Sequence, residues 1–306
     1  MTTVEGSPAL TPTFHLFLPQ MRMSFEAIVE RALAAEAAGF EGMAFMDHLA
    51  PPLAFEHPMF EAMTTAGWVL ARTSSLKVGH LVLCDAFRHP AVLARQAVSL
   101  DHASGGRFEL GIGWGSVPDE LATFGVGSTE PRGRVGRLAE SLEVIRGLWS
   151  GEVVDYKGEY FTLEGARQRP VPTGRIPITV GGVGRRTLEL VRAHADWWNV
   201  PIHALDQLGR LRDRVGEVRV SIQPMVAFVP AENRRAEITE LVRRRFGIGK
   251  MAENLVVGSP SELIDHFGQL HAEGVDRFYV WFTDFAPVDT LHRFSEVIRD
   301  VATPTG

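Results

Sequence analysis

The sequence predicts an α/β fold, a (β/α)8 barrel with one short hairpin inserted between its fourth helix and fifth strand. Three observations predict it. Short apolar runs alternate with amphipathic stretches along 306 residues, with no break in composition. Eight such runs read as strands, the number a closed barrel needs. The first strand-to-helix turn, Leu18-Pro19-Gln20-Met21, lacks the glycines that an open nucleotide-binding sheet carries there. The chain therefore reads as one domain, residues 1–306, with residues 151–175 as the insertion.

Each element has its own signal. Phe14 to Leu18 is a compact apolar run closed by Pro19. Ser24 caps a helix from Phe25 to Ala38, which Gly39 stops. Phe40 to Met46 is the second strand, ended by Asp47-His48 and Pro51-Pro52. A helix over Phe60 to Thr73 leads to a strand over Lys77 to Leu83. Pro90 opens a helix that runs through His102 to Gly105-Gly106. Phe108 to Gly111 is the fourth strand; a long glycine-bearing loop and a helix from Pro131 to Trp149 follow. Val153 to Tyr156 and Tyr160 to Leu163 flank a tight turn at Lys157-Gly158, which reads as a β-hairpin too short to own a core. The rhythm then resumes with strands at Ile176–Val180, Asp196–Val200, Val218–Val229 and Phe278–Phe282. Helices are expected at Arg185–His194, Leu205–Arg214, Glu232–Phe246, from Ser259 to His271, and at Val288–Val301. Ser259-Pro260-Ser261-Glu262 is a capping box with proline at the first helical position.

Composition sets limits on function. Apolar residues make up 45% of the chain, enough for a sizeable core, and the net charge of −6 gives no pull towards nucleic acid or a membrane surface. Cys84 is the one cysteine, so no internal disulfide forms, and a reducing cytoplasm suits it. Met1 to Leu10 lacks the charged and apolar regions of a leader, and no apolar run is long enough to span a bilayer. No His-Glu-x-x-His or Cys/His cluster suggests a metal. Ser116 is not in a Gly-x-Ser-x-Gly elbow, so a serine hydrolase is unsupported. Gly111-Ile112-Gly113-Trp114-Gly115-Ser116 looks like a dinucleotide fingerprint but lacks its third glycine and is followed by a loop.

Barrel sites stand at the C-terminal strand ends. There the sequence places Asp47 and His48, Cys84 and Asp85, Gly113 to Ser116 with Asp119 and Glu120 beyond, Gly181 to Gly184, Asn199, and Thr283-Asp284. The bare backbone of the glycine strand suits close approach of something planar or anionic. Gly181-Gly182-Val183-Gly184-Arg185-Arg186 opens a helix, whose free amides attract anions. Two arginines there oppose the helix dipole; a bound phosphate would reconcile them, and a tight turn with solvated arginines is the other reading. His48 reads either as a proton or hydrogen-bond donor to a bound molecule, or as a loop histidine satisfied by backbone.

Taken together, these stretches resemble the bacterial luciferase-like flavin and deazaflavin oxidoreductases. The carriers are Gly39-Phe40 to Asp47-His48, Phe87-Arg88-His89-Pro90-Ala91, Ser104-Gly105-Gly106-Arg107 leading to Gly111–Gly115, Phe124-Gly125, Lys157 to Phe161, Pro177 to Gly184, and Ala195 to Asn199. Each is weak alone; their order is specific. The resemblance implies a (β/α)8 barrel binding coenzyme F420 or, alternatively, FMN. It implies that Asp47 and His48 lie by the ring and the reacting substrate. It places a non-proline cis peptide at Leu81-Val82 against the ring, Cys84 at the ring's edge and Gly113 beside it. Asp119 would meet the ribityl chain, and Gly181, Gly182, Val183, Gly184 and Arg185 would hold the phosphate. It further implies a small-molecule substrate, a homodimer formed by helices flanking strands two and three, and a separate flavin or F420 reductase as a possible partner. Some deazaflavin sugar-phosphate dehydrogenases carry a glutamate at the position of Ser116, where it works as an acid–base group. Serine does not replace it, which favours F420-dependent hydride delivery to an acceptor, or an FMNH2-dependent monooxygenase, over alcohol oxidation. A barrel that only binds flavin is the third reading, and the presence of both Asp47 and His48 argues against it.

Overall fold

A computed structural model describes residues 11–52, 54–246 and 255–303. Met1 to Leu10, and Leu53 within the Ala50–Met59 loop, lie outside the described residues. The strands are β1 (Thr13–Phe17), β2 (Gly42–Phe45), β3 (Lys77–His80), β4 (Leu83–Cys84), β5 (Leu110–Gly113), β6 (Val154–Lys157), β7 (Thr162–Ala166), β8 (Ile178–Gly181), β9 (Trp197–Val200), β10 (Arg219–Ile222), β11 (Met225–Phe228), β12 (Leu255–Gly258) and β13 (Arg277–Phe282). The helices are α1 (Phe25–Ala37), α2 (Ala62–Arg72), α3 (Pro90–Ser104), α4 (Pro118–Phe124), α5 (Pro131–Trp149), α6 (Arg185–His194), α7 (Leu208–Val215), α8 (Arg235–Phe246), α9 (Pro260–Ala272) and α10 (Val288–Ala302).

All strands but β6 and β7 join one parallel sheet, hydrogen-bonded in the order β3-β2-β1-β13-β10-β9-β8-β5-β4, with β11 and β12 beside β13. The sheet closes on itself where Val78 N donates to Arg107 O (2.9 Å) and Glu109 N donates to Val78 O (3.0 Å). This is the predicted barrel, with its third and seventh staves each in two pieces. β6 and β7 pair antiparallel outside it as the inserted hairpin.

The differences from the sequence reading have local causes. The third stave is interrupted at Leu81-Val82, a non-proline cis peptide. The seventh parts at Gln223-Pro224, because proline has no N–H for the ladder. The hairpin turn is wider than expected, with Gly158 N donating to Phe161 O (2.9 Å). The Glu140 carboxylate on α5 accepts the amides of Glu159, Tyr160 and Phe161, which keeps those residues out of the ladder. The loop expected after the fourth strand contains α4, opened by Pro118 and stopped by Gly125 at φ +66°. A 3-10 turn over Ile202–Gln207 takes the start of the expected helix at Leu205, and β12 is a strand the sequence reading did not assign.

Alternating side chains divide the interior in two. Outward residues such as Leu16, Phe45, Val180 and Phe282 pack under the helices in the main core. Phe17, Ala44 and Tyr279 form a second cluster, with Met46, Leu81 and Trp281 packed on it. Beneath that cluster the barrel is polar. Arg277 on β13 reaches Glu109, just before β5, through two hydrogen bonds (2.7 and 3.2 Å) and donates to Tyr279 Oη at 3.0 Å. These staves are not neighbours, so the ion pair crosses the barrel. The Arg277 guanidinium also lies 3.7 Å from the Trp197 ring centroid.

The third stave presses closely on the fourth. A Cβ on Gly111 would stand 1.8 Å from His80 O, and one on Gly79 would stand 2.7 Å from Glu109 O. The bare backbone of this strand therefore admits its neighbouring strand. Beside it, the His80 ring packs edge-on to Phe108, and both its nitrogens are buried without hydrogen-bond partners. Burial depresses its pKa to about 4 from 6.5.

Gly111→Ala should cost at least about 3 kcal/mol, because a backbone carbonyl cannot retreat like a side chain. Gly209→Ala on α7, where an added Cβ meets nothing within 4 Å, should stabilise by about 0.5–1 kcal/mol. Urea unfolding of both variants checks the pair; equal effects would refute the packing argument. The neutral His80 is fully compatible with folding above its unfolded pKa. As pH falls below 6.5 towards about 4, the unfolded chain binds a proton that the fold refuses. Up to about 3 kcal/mol of stability should be lost across that window, and His80→Leu should flatten the slope.

Candidate active site

One cavity of about 430 Å³ opens at the C-terminal mouth of the barrel. That lies within the ~300–1,000 Å³ usual for small-molecule and cofactor sites. Its apolar wall is Met46, Leu81, Val82 and Leu83, continued by Trp114 and Leu121. Its polar groups are few: Asp47, His48, Cys84, Ser116, Glu120, Asn199 and Gln223.

Asp47 and His48 stand just past β2, held there by a buried glutamine. Gln20 Nε2 donates to Met46 O (2.6 Å), and Met46 N donates to Gln20 Oε1 (3.2 Å). The two neighbours then have different partners. Asp47 accepts both arms of the Arg88 guanidinium (2.6 and 3.0 Å) and the amide of Cys84 (2.8 Å). It ties the second stave to the third and offers the cavity an already paired carboxylate. Arg88 also pairs with Glu61, the N-cap of α2, whose carboxyl falls to about 2: burial opposes this, and hydrogen bonds from the Thr64 and Met63 amides and Arg88 prevail. His48 instead pairs with Glu120 on α4, Nδ1 to Oε2 at 2.9 Å. Glu120 Oε1 accepts the amides of Leu49 (2.6 Å) and Ala50 (3.2 Å). Burial would raise the Glu120 carboxyl, but hydrogen bonds from His48 and those amides outweigh it and hold its pKa below the ordinary value. Nδ1 being taken, Nε2 is the ring atom left for a molecule in the cavity.

Cys84 lines the cavity but is only 7% exposed, and burial pushes its thiol up to about 12. It is a neutral packing group here, not a thiolate. Gly113 lines the cavity, and a Cβ on it would meet Val82 Cγ2 at 2.7 Å, so Val82 covers this strand end.

Across the mouth, β9 clamps the glycine turn from both sides. Trp198 Nε1 donates to Gly182 O (2.8 Å), and Gly182 N donates to Asn199 O (3.1 Å). Gly182 has φ +118°, and a Cβ there would meet Thr187 Cγ2 at 3.3 Å, so the turn requires glycine. Gly184 is the N-cap of α6 and supplies no side-chain cap, leaving the first-turn amides for solvent or an anion. These features fit a ring-bearing cofactor with a phosphate: an apolar wall for the ring and a glycine cradle at a helix start.

Of the residues singled out from sequence, Asp47, His48, Leu81, Val82, Cys84, Gly113, Gly181 and Gly182 line this cavity. Val183, Gly184 and Arg185 follow at its rim, where the side chain of Arg185 is exposed and lies 3.8 Å from Glu189. Asp119 is outside: it is exposed on the outer face of α4, and Glu120 with Leu121 is buried. The carboxylate at the cavity is one residue further on because Pro118 starts a helix whose inward face carries positions 120 and 121. Sequence reasoning gave no role to Arg88, Gln20, Gln223 or Trp114. The charged pair Asp47–Arg88 has no periodicity to betray it.

Among the described residues no His, Cys, Asp and Glu group is arranged to hold a metal, and no helix is long and apolar enough to cross a membrane.

The chain is 38% identical to the F420-dependent glucose-6-phosphate dehydrogenase of Mycolicibacterium fortuitum over 162 residues, 51% of this chain and 47% of that one. The match thus spans about half the length of the relative. Among solved structures, an F420-dependent secondary alcohol dehydrogenase in complex with an F420-acetone adduct superposes with a TM-score of 0.81 at 20% identity, covering 95% of this chain and 99% of that one. An EDTA monooxygenase from Chelativorans sp. BNC1 gives 0.80 at 15% identity, covering 95% and 94%. At these identities the two structures establish the fold alone. The family profile for luciferase-like monooxygenases matches residues 6–226. The chain belongs to the luciferase-like monooxygenase family.

Proposed function

We propose that this protein is an F420-dependent oxidoreductase that transfers hydride between the deazaflavin and a small organic molecule. The observation that carries this reading is that one cavity joins the His48 imidazole to the Gly182 turn at the start of α6. On this reading a proton-handling ring and a phosphate cradle share one cavity. When bound, the deazaflavin supplies the hydride chemistry; the protein supplies orientation, a dry wall and a proton site. Leu81, Val82 and Met46 would lie against the ring, Gly113 and Cys84 near its edge, and Gly181 to Gly184 with Arg185 at the phosphate. Asp47, bound to Arg88, keeps the His48 segment in place. The glucose-6-phosphate dehydrogenase relatives support F420 over FMN. We further propose that the chain pairs with a second copy through α2 and α3, where Trp68 (48% exposed) and Val92 (54%) leave apolar surface. A reducing cytoplasm, with a separate reductase renewing the cofactor, completes the reading.

Fluorescence titration with oxidised F420 and, separately, with FMN tests the cofactor. Tight binding of F420 alone is expected; tight binding of FMN alone, above all reduced, would replace this reading with an FMNH2-dependent monooxygenase. Gly182→Val should weaken cofactor binding by about tenfold or more, since the turn loses its positive-φ conformation. An unchanged dissociation constant would remove the phosphate cradle. His48→Ala should retain the fold and the cofactor but lose about 10²–10⁴-fold in turnover. Light scattering should give twice the chain mass, and Trp68→Glu should give the mass of one chain.

A further inference from the structure

We propose that Glu120 is a positioning residue that fixes His48 as a proton acceptor, and that this suits the pocket to an alcohol–carbonyl substrate pair. The substrate class rests on the hydride-transfer reading above; the setting of the imidazole does not.

The argument begins with the division of work between the two oxygens of Glu120. Oε1 accepts two backbone amides, those of Leu49 (2.6 Å) and Ala50 (3.2 Å). Oε2 is 2.9 Å from His48 Nδ1. The carboxylate is buried at 5% exposure, and its hydrogen bonds favour the ionised form. An ionised carboxylate only accepts, so the proton between Glu120 and His48 must sit on Nδ1. A neutral imidazole protonated at Nδ1 has a bare Nε2. His48 lines the cavity, so that lone pair is offered to whatever binds there.

This supplies what position 116 lacks. Ser116 lies at the cavity edge and is no proton acceptor at neutral pH. His48 is one, and Glu120 stabilises the imidazolium that forms when it accepts. In the step assigned to it, an alcohol loses two groups. Its carbinol C–H bond breaks, and the electron pair leaves with hydrogen to the bound deazaflavin. Its O–H bond breaks, and the proton goes to His48 Nε2. A C=O bond forms, and the alcohol is oxidised by two electrons while the cofactor is reduced by two. In reverse, Nε2–H returns the proton to the carbonyl oxygen. Glu120 touches no reacting atom in either direction; it acts through the tautomer and orientation of His48.

Glu120→Gln tests this because it keeps shape while changing one donor. The amide oxygen still satisfies Leu49 and Ala50, which turns the NH2 group towards Nδ1. Nδ1 then has to accept, the ring proton moves to Nε2, and the cavity faces a donor. The first readout is the ¹⁵N spectrum of the neutral form of the His48 ring in cofactor-free protein, followed across a pH series. The native protein should carry the proton on Nδ1, and the variant on Nε2. The second is oxidation of propan-2-ol with oxidised F420. The variant should lose about 100-fold or more in kcat, while KM changes only a few-fold. A native ring protonated at Nε2, or a variant with unchanged tautomer, overturns the proposal. So does a tautomer change that leaves kcat intact. If the tautomers behave as stated but no alcohol reduces F420 with the native protein, the setting of His48 stands and the deazaflavin reading falls with its substrate class.

Discussion

The close approach of the third stave to the fourth is the constraint on which this structure depends. Gly79 abuts the Glu109 carbonyl and Gly111 the His80 carbonyl across that junction, with room for a hydrogen atom and no more. The approach lets Val78 bond to Arg107 and Glu109, which closes the sheet into a barrel. The same approach brings Val82 over Gly113 and turns Leu81, Val82 and Leu83 into the apolar wall of the cavity. Glycine here serves the protein's own chain first. The side chains of that wall are all apolar.

Below the wall the barrel carries a buried ion pair where many barrels carry aliphatic layers. Arg277 and Glu109 satisfy each other through two hydrogen bonds, and Tyr279 and Trp197 complete the arginine's surroundings. Breaking such a pair leaves an uncompensated charge, whereas replacing both partners with apolar groups is often neutral. Its consequence here is geometric. The pair spans staves that are not neighbours, so it sets the distance between the two sides of the barrel beneath the pocket. Phe17, Ala44 and Tyr279 then pack above it as an apolar layer.

Two neighbouring residues at one strand end divide the work of the site. Asp47 faces Arg88 and the Cys84 amide and locks two staves together. His48 faces Glu120 and keeps one nitrogen for the cavity. Successive residues in extended chain point to opposite sides, so adjacency in sequence gives them separate partners. Across the mouth, Trp198 and Asn199 grip Gly182 by its carbonyl and its amide. His48 and the Gly182 turn are thus each held by a strand end and a hydrogen bond from a neighbour.

The sequence by itself determined the barrel, the hairpin insertion, the start and stop signals of α1, α3 and α9 and the strand ends that meet at the mouth. These are local properties: apolar period, proline and glycine stops, and the fixed rule that strand ends face one way in a parallel barrel. The resemblance to a family added the Leu81-Val82 peptide, because ordered motifs carry more than any one of them. Only the tertiary structure decided which carboxylate does what. Asp119 and Glu120 are adjacent and chemically alike, and one turn of a short helix put the first in solvent and the second against His48. It also decided that Asp47 meets Arg88 across 41 residues, and Arg277 meets Glu109 across 168. Such pairs leave no periodic mark on the chain. They are fixed by barrel closure, which brings together residues that nothing in their local sequence connects.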